Sequence, residues 1–253
     1  MNTSRAGRIL RTKIFCFAAL CGLLFAPPAT PRGGQERATM ADPEHYLDAL
    51  KAELKIEWPA NRTVNLVFHG HSVPSGYFKT PDVRTLEAYP HLVLKELKSL
   101  YPLAVINVIV TAVGGENSVQ GEKRFAADVL THHPDVVFID YALNDRGVSM
   151  EESEAALASM VRQAQSKNLK VILLTPTPDQ GENILDPQAP LAVRSGQVRD
   201  LAARFGIGLV DSYAAFKVVA ASGAPIADYM SQGNHPNERG HRIVAGEILR
   251  FFR

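Results

Sequence analysis

The chain has 253 residues, 46% hydrophobic and 21% charged, with 18 Gly and 16 Pro. These ordinary globular values exclude collagen-like, low-complexity and wholly disordered readings and suit one sizeable α/β domain or two very small ones. A net charge of +1, from 27 basic against 26 acidic side chains, lacks the excess a nucleic-acid binder carries, and no apolar run reaches the roughly 20 residues of a membrane-crossing helix.

Residues 1–29 read as a secretory signal peptide. Arg5, Arg8, Arg11 and Lys13 come without an acid, an apolar run over 14–26 follows, and Pro27-Pro28-Ala29 closes the segment. That is the charged, then apolar, order of an export signal. A membrane anchor is the alternative, because no clean A-x-A cleavage site is visible. Cleavage near Ala29 removes four basic residues and no acid, so 27 − 4 = 23 against 26, a net −3. The only two cysteines, Cys16 and Cys21, lie in the apolar run. The exported chain, periplasmic or extracellular, would therefore hold no disulfide, thiolate nucleophile or thiolate metal site. Residues 30–44 read as a polar disordered leader, and 45–253 as the domain.

In chain order, β-branched apolar runs fall at 64–69, 104–111, 135–141, 170–176 and 208–211. Each is almost continuously apolar, as strands buried on both faces are. Helical stripes lie between them. Val93, Leu94, Leu97 and Leu100 follow Pro90, a first-turn residue. Leu157, Met160, Val161 and Ala164 follow the capping box Ser149-x-x-Glu152. Val198, Leu201, Ala202 and Phe205 make a third stripe, and Ile243, Val244, Ile248 and Phe251 close the chain. Five strands alternating with helices predict a parallel sheet covered on both sides, in one domain.

Ligands bind beyond the carboxyl ends of such strands. Four loops there carry chemistry-bearing residues. The first, Gly70-His71-Ser72-Val73-Pro74-Ser75-Gly76, offers Ser72 as a nucleophile; a loop-capping role is its bland alternative. It lacks the Lys-Ser/Thr of a phosphate loop and the G-x-S-x-G of the common α/β-hydrolases. The second, Val113-Gly114-Gly115-Glu116, leads into a helix and can present a backbone N–H outward, or simply turn tightly. The third holds Asn144, an amide donor or a turn residue. The fourth places His235 as a general base, with Asn237 as the cap of the last helix. His69 and His71 have no third ligand at a recognisable spacing. His235 and His241 are six apart rather than four, while His45, His91, His132 and His133 sit in polar contexts. No metal or cofactor is expected.

Taken together, the loops resemble the SGNH hydrolases, the GDSL-like lipase/esterase family. That family has a G-D-S serine after the first strand, a glycine after the second, G-x-N-D after the third and D-x-x-H before the last helix. Ser72, Gly115, Asn144 and His235 match, as do Pro236, Asn237 and Gly240 after the histidine. The resemblance spans about 61–252. Three positions depart: His71 for the Asp of G-D-S, Ala142 for the glycine of G-x-N-D, and Gln232 for the third triad member. The resemblance implies an α/β fold, a flavodoxin-like three-layer α/β/α sandwich with a five-stranded parallel sheet. It also implies an acyl-enzyme route in which Ser72 attacks, His235 moves the proton, and Gly115, Asn144 and the Ser72 N–H receive the oxyanion.

The polar segments 77–82 and 177–183 favour a small acyl group, acetyl, on a polar alcohol such as a sugar. The expected partner is thus a small-molecule or carbohydrate ester, with no nucleic acid and no stable membrane insertion after processing. Acyl transfer to a polysaccharide, and a carbohydrate-binding module that has lost its triad acid, are the alternatives. A backbone carbonyl of the 230–234 loop is the expected partner of the His235 ring, ahead of the Gln232 amide oxygen and Asp228.

Overall fold

The computed structural model describes Thr39–Arg253; the proposed signal peptide and the leader up to residue 38 lie outside the described residues. Five strands make the sheet: β1 (Thr63–Gly70), β2 (Val105–Val110), β3 (Val136–Asp140), β4 (Lys170–Leu174) and β5 (Gly208–Val210). All pair in parallel, in the order β2-β1-β3-β4-β5. This is the flavodoxin-like doubly wound order, whose crevice opens where the order reverses beside β1.

Alternation along the strands explains the two cores. Leu66, Phe68, Val136 and Phe138 point to one face, under α1 (Asp48–Glu53), α3 (Tyr89–Leu100), α7 (Ser212–Ala221) and α8 (Glu238–Leu249). Val67, Val137 and Ile139 point to the other, under α4 (Ser118–Asp128), α5 (Met150–Gln165) and α6 (Pro190–Phe205). The remaining helix, α2 (Ser72–Ser75), is a single turn. An antiparallel hairpin, β6 (Met230–Gln232) and β7 (His235–Pro236), precedes α8.

All five expected strands are present, and α5 begins with the expected capping box of Ser149 and Glu152. Three readings need correcting. Strand β2 is a sheet edge, not buried on both faces: Val105 is 48% exposed. On α3 the buried face is Tyr89, Leu92, Val93 and Leu97, while Leu100 is exposed. Order also starts before residue 45, since the Ala41 N–H donates to the Ile207 carbonyl and Tyr46 bonds back to Asp42. No apolar stripe announced α1, α4 or α7. Helix α4 packs through small residues, Ser118 and Gly121, around Phe125, while α7 is apolar almost all round.

Candidate active site

The first loop is tighter than a surface loop. Ser72 opens α2, is 8% exposed, and its hydroxyl lies 2.8 Å from His235 Nε2. His71 caps this turn, its Nδ1 accepting from the Val73 N–H at 3.2 Å. With Nδ1 used as an acceptor, the ring proton of neutral His71 sits on Nε2, which faces Asp140 Oδ1 at 3.4 Å. The other Asp140 oxygen accepts from the Tyr89 hydroxyl. His71 therefore caps this turn where the resemblance has an Asp, and the buried Asp140 carboxylate faces its other ring nitrogen.

The second and third loops are pinned to one another and to the first. Gly115 has φ +84°, the left-handed region that glycine enters without a side-chain clash. Asn144 donates through Nδ2 to the Glu116 carbonyl at 2.8 Å, leaving its second amide N–H uncommitted to that bond. Asp145, 1% exposed, accepts from the Ser118 N–H at 2.7 Å at the start of α4. Ser75 donates to the carbonyl of Ala112. Ala142, where the resemblance expects glycine, is simply buried in the core.

His235 stands on β7 rather than in a loop, directly across the hairpin from Gln232. Asn237 caps α8 as expected, accepting from the N–H groups of Arg239 and Gly240. Its amide also donates to the carbonyls of Asp228 and Met230, which holds the hairpin against the helix. Gly240 must be glycine for space: a Cβ there would lie 2.4 Å from the Tyr229 carbonyl oxygen.

The partner of the His235 ring corrects the expectation in place, though not in kind. Nδ1 lies 3.0 Å from the carbonyl of Phe78, eight residues beyond β1, and not from a carbonyl of 230–234. Asp228 is exposed and contributes its backbone carbonyl to Asn237. Gln232 does reach Nδ1, at 2.7 Å, but through its amide nitrogen rather than its oxygen. Tyr77, next to Phe78, is half-buried, with its ring centre 6.2 Å from that of His235. No residue-level pattern marked Phe78, because any residue supplies a carbonyl.

Burial lowers the His235 pKa below the ordinary imidazole value; the Phe78 carbonyl opposes this, and the nearby His71 adds to it. A neutral, proton-accepting ring therefore persists to lower pH than for a free histidine. Two other histidines are structural. Burial pushes His69 down to about 4, assisted by the Arg124 charge, and pushes His241 down to about 3. The unfolded chain takes up protons at these sites below about pH 6.5, where the folded chain does not. Their contribution to stability is thus full above that pH and is lost progressively as pH falls toward 4. Urea unfolding midpoints are expected to drop between pH 7 and pH 5; a midpoint unchanged over that interval would contradict the burial argument.

The family described as GDSL-like Lipase/Acylhydrolase matches residues 68–243. The chain belongs to this family. As a GDSL-like enzyme it is a carboxylic ester hydrolase. An acetylxylan esterase of Geobacillus stearothermophilus is 29% identical over 175 residues, covering 64% of this chain and 79% of that protein. The crystal structure of an acetylxylan esterase from the same organism matches with a TM-score of 0.64 and 26% identity, over 78% of this chain and 96% of that one. A two-domain esterase active on acetylated mannans shares the fold, with a TM-score of 0.68 at 22% identity over 85% of this chain and 54% of that one.

Proposed function

We propose that the protein is an exported carbohydrate acetyl esterase that works through an acetyl-enzyme on Ser72. The observation that carries this reading is the 2.8 Å contact between the Ser72 hydroxyl and His235 Nε2. Ser72 Oγ attacks the acetyl carbonyl as its proton passes to Nε2. The N–H groups of Ser72 and Gly115, with the Asn144 amide, receive the oxyanion. Collapse breaks the bond to the sugar oxygen, which leaves with the proton from His235. Water then gives a proton to His235 and adds to the acyl carbon; acetate departs, and Ser72 regains its hydrogen.

Acetyl and sugar are supported by the relatives' substrates, by the exposed polar residues Lys79, Thr80 and Asp82, and by Tyr77. The leaving oxygen must sit at His235 Nε2, so a sugar ring attached to it lies within reach of the Tyr77 ring. An aromatic contact contributes up to about 1.5 kcal/mol. Tyr77→Ala is therefore expected to raise KM for acetylated xylose by about tenfold while leaving kcat/KM for vinyl acetate within about threefold. Equal losses on both esters would remove Tyr77 from the sugar site.

Export is supported by the Arg-rich start and the short apolar run. N-terminal sequencing of secreted protein should begin at about residue 27–37; material starting at Met1, or held firmly in membranes, would refute it. The binding-only alternative took its motive from the missing acid, and Nδ1 has a carbonyl partner without one. The decisive test is labelling by a serine-reactive organophosphonate with peptide mapping to Ser72, together with acetate release from acetylated xylo-oligosaccharides. Preference for acyl chains above about eight carbons would overturn the small-acyl reading.

A further inference from the structure

Two groups compete for one atom of the proposed base. The Phe78 carbonyl, 3.0 Å from His235 Nδ1, can only accept, so that contact requires a proton on Nδ1. The Gln232 side chain lies 2.7 Å from the same nitrogen. Thr80 decides which end of the amide faces the ring. Its backbone N–H can only donate, and lies 3.0 Å from one amide atom, which must therefore be the oxygen. The other atom is the NH2 group, 3.2 Å from Thr80 Oγ1 and 2.7 Å from Nδ1. An NH2 group at that distance requires Nδ1 to be a bare acceptor.

The two contacts demand opposite tautomers. With the proton on Nδ1, Nε2 is free to take the Ser72 proton. With Gln232 donating to Nδ1, the ring proton moves to Nε2 and points at Ser72, and the ring cannot act as a base. Which ring nitrogen carries the proton is set by the bond made at the other. The hairpin register, with Gln232 directly across from His235, keeps the amide at the ring.

We propose that Gln232 is a positioning residue that acts as a brake: clamped by Thr80, it holds a fraction of the enzyme in the tautomer in which His235 cannot accept a proton. This rests on the role proposed above for His235. The observed rate is then the intrinsic rate multiplied by the competent fraction. Removing the NH2 donor while keeping the bulk should release the brake, so the residue at the triad-acid position slows the reaction.

Two variants test this, with the tautomer read directly from the 15N shifts of His235 above its titration range. Gln232→Met fills the same space without a donor, and is expected to shift the ring to the Nδ1–H form and raise kcat by about three- to tenfold with KM unchanged. Gln232→Glu offers acceptors to Nδ1–H, to the Thr80 N–H and to the Thr80 hydroxyl together. It should raise kcat further, by about tenfold or more, and move the acid limb of the kcat/KM profile to higher pH, since a carboxylate favours the imidazolium. A wild-type ring already wholly in the Nδ1–H form, or a Gln232→Met ring with an unaltered tautomer, would overturn the proposal. If the tautomer shifts while no variant cleaves any ester, the brake stands and the proposed esterase function fails.

Discussion

Ser72→Ala is expected to lower ester hydrolysis by roughly 10⁵-fold or more, the scale seen when a serine nucleophile is deleted. On the proposed mechanism, alanine leaves His235 Nε2 with no hydroxyl to deprotonate, so the acetyl-enzyme does not form. What survives is the background from oxyanion donors and binding, roughly 10³–10⁴ above water. KM should change little, because the backbone N–H of residue 72 and the other loops remain in place. The fold should survive as well. Ser72 is buried rather than in a loose loop, and its hydroxyl has a single partner among the described residues, so the cost is that of one hydrogen bond, about 0.5–1.5 kcal/mol. Loss of folding in this variant, by circular dichroism, or near-normal turnover, would reject the assignment of Ser72.

Asn144→Ala is expected to slow kcat by roughly 10²–10³-fold, the usual effect of removing one oxyanion donor. Its amide is held by the Glu116 carbonyl at 2.8 Å, which fixes the plane of the group before substrate arrives. A donor fixed in this way spends no reorganisation on the developing charge. The same bond ties the loop after β3 to the loop after β2, so the variant also loosens Gly115. Asn144→Asp separates the two effects: it keeps the bulk but puts a carboxylate beside the oxyanion, and should be at least as slow as alanine. A kcat within about threefold of wild type for the alanine variant would rule out Asn144 as an oxyanion donor.

Much of this arrangement was legible in the sequence because it is carried by side-chain type at strand ends. Ser72, Gly115, Asn144 and His235 each follow or precede an apolar run, and the sheet order β2-β1-β3-β4-β5 gathers their loops at one edge. The cap Asn237 was legible for the same reason. Helix α4 was not, because its packing face is made of Ser118 and Gly121, which carry no hydrophobic signal. Phe78 was unreadable as a partner of His235, since its carbonyl is common to all residues. The orientation of the Gln232 amide was hidden too. It depends on Thr80, 152 positions earlier in the chain, and on a hairpin register that only the folded backbone sets.

The distance along the chain between Ser72 and His235 has its own meaning. Ser72 opens the turn after the first strand, whereas His235 belongs to the hairpin just before the last helix, 163 residues later. Helix α8 packs on α3, and the Phe252 carbonyl at the chain's end accepts from the Tyr101 hydroxyl. On the proposed assignment, a growing polypeptide thus holds a serine without its base until the segment Met230–Arg253 has docked. Contacts of such long sequence separation form late and slowly. Catalytic competence is then a certificate of completed folding: a chain cut short before the β6–β7 hairpin would keep all five strands of the sheet and lack the base.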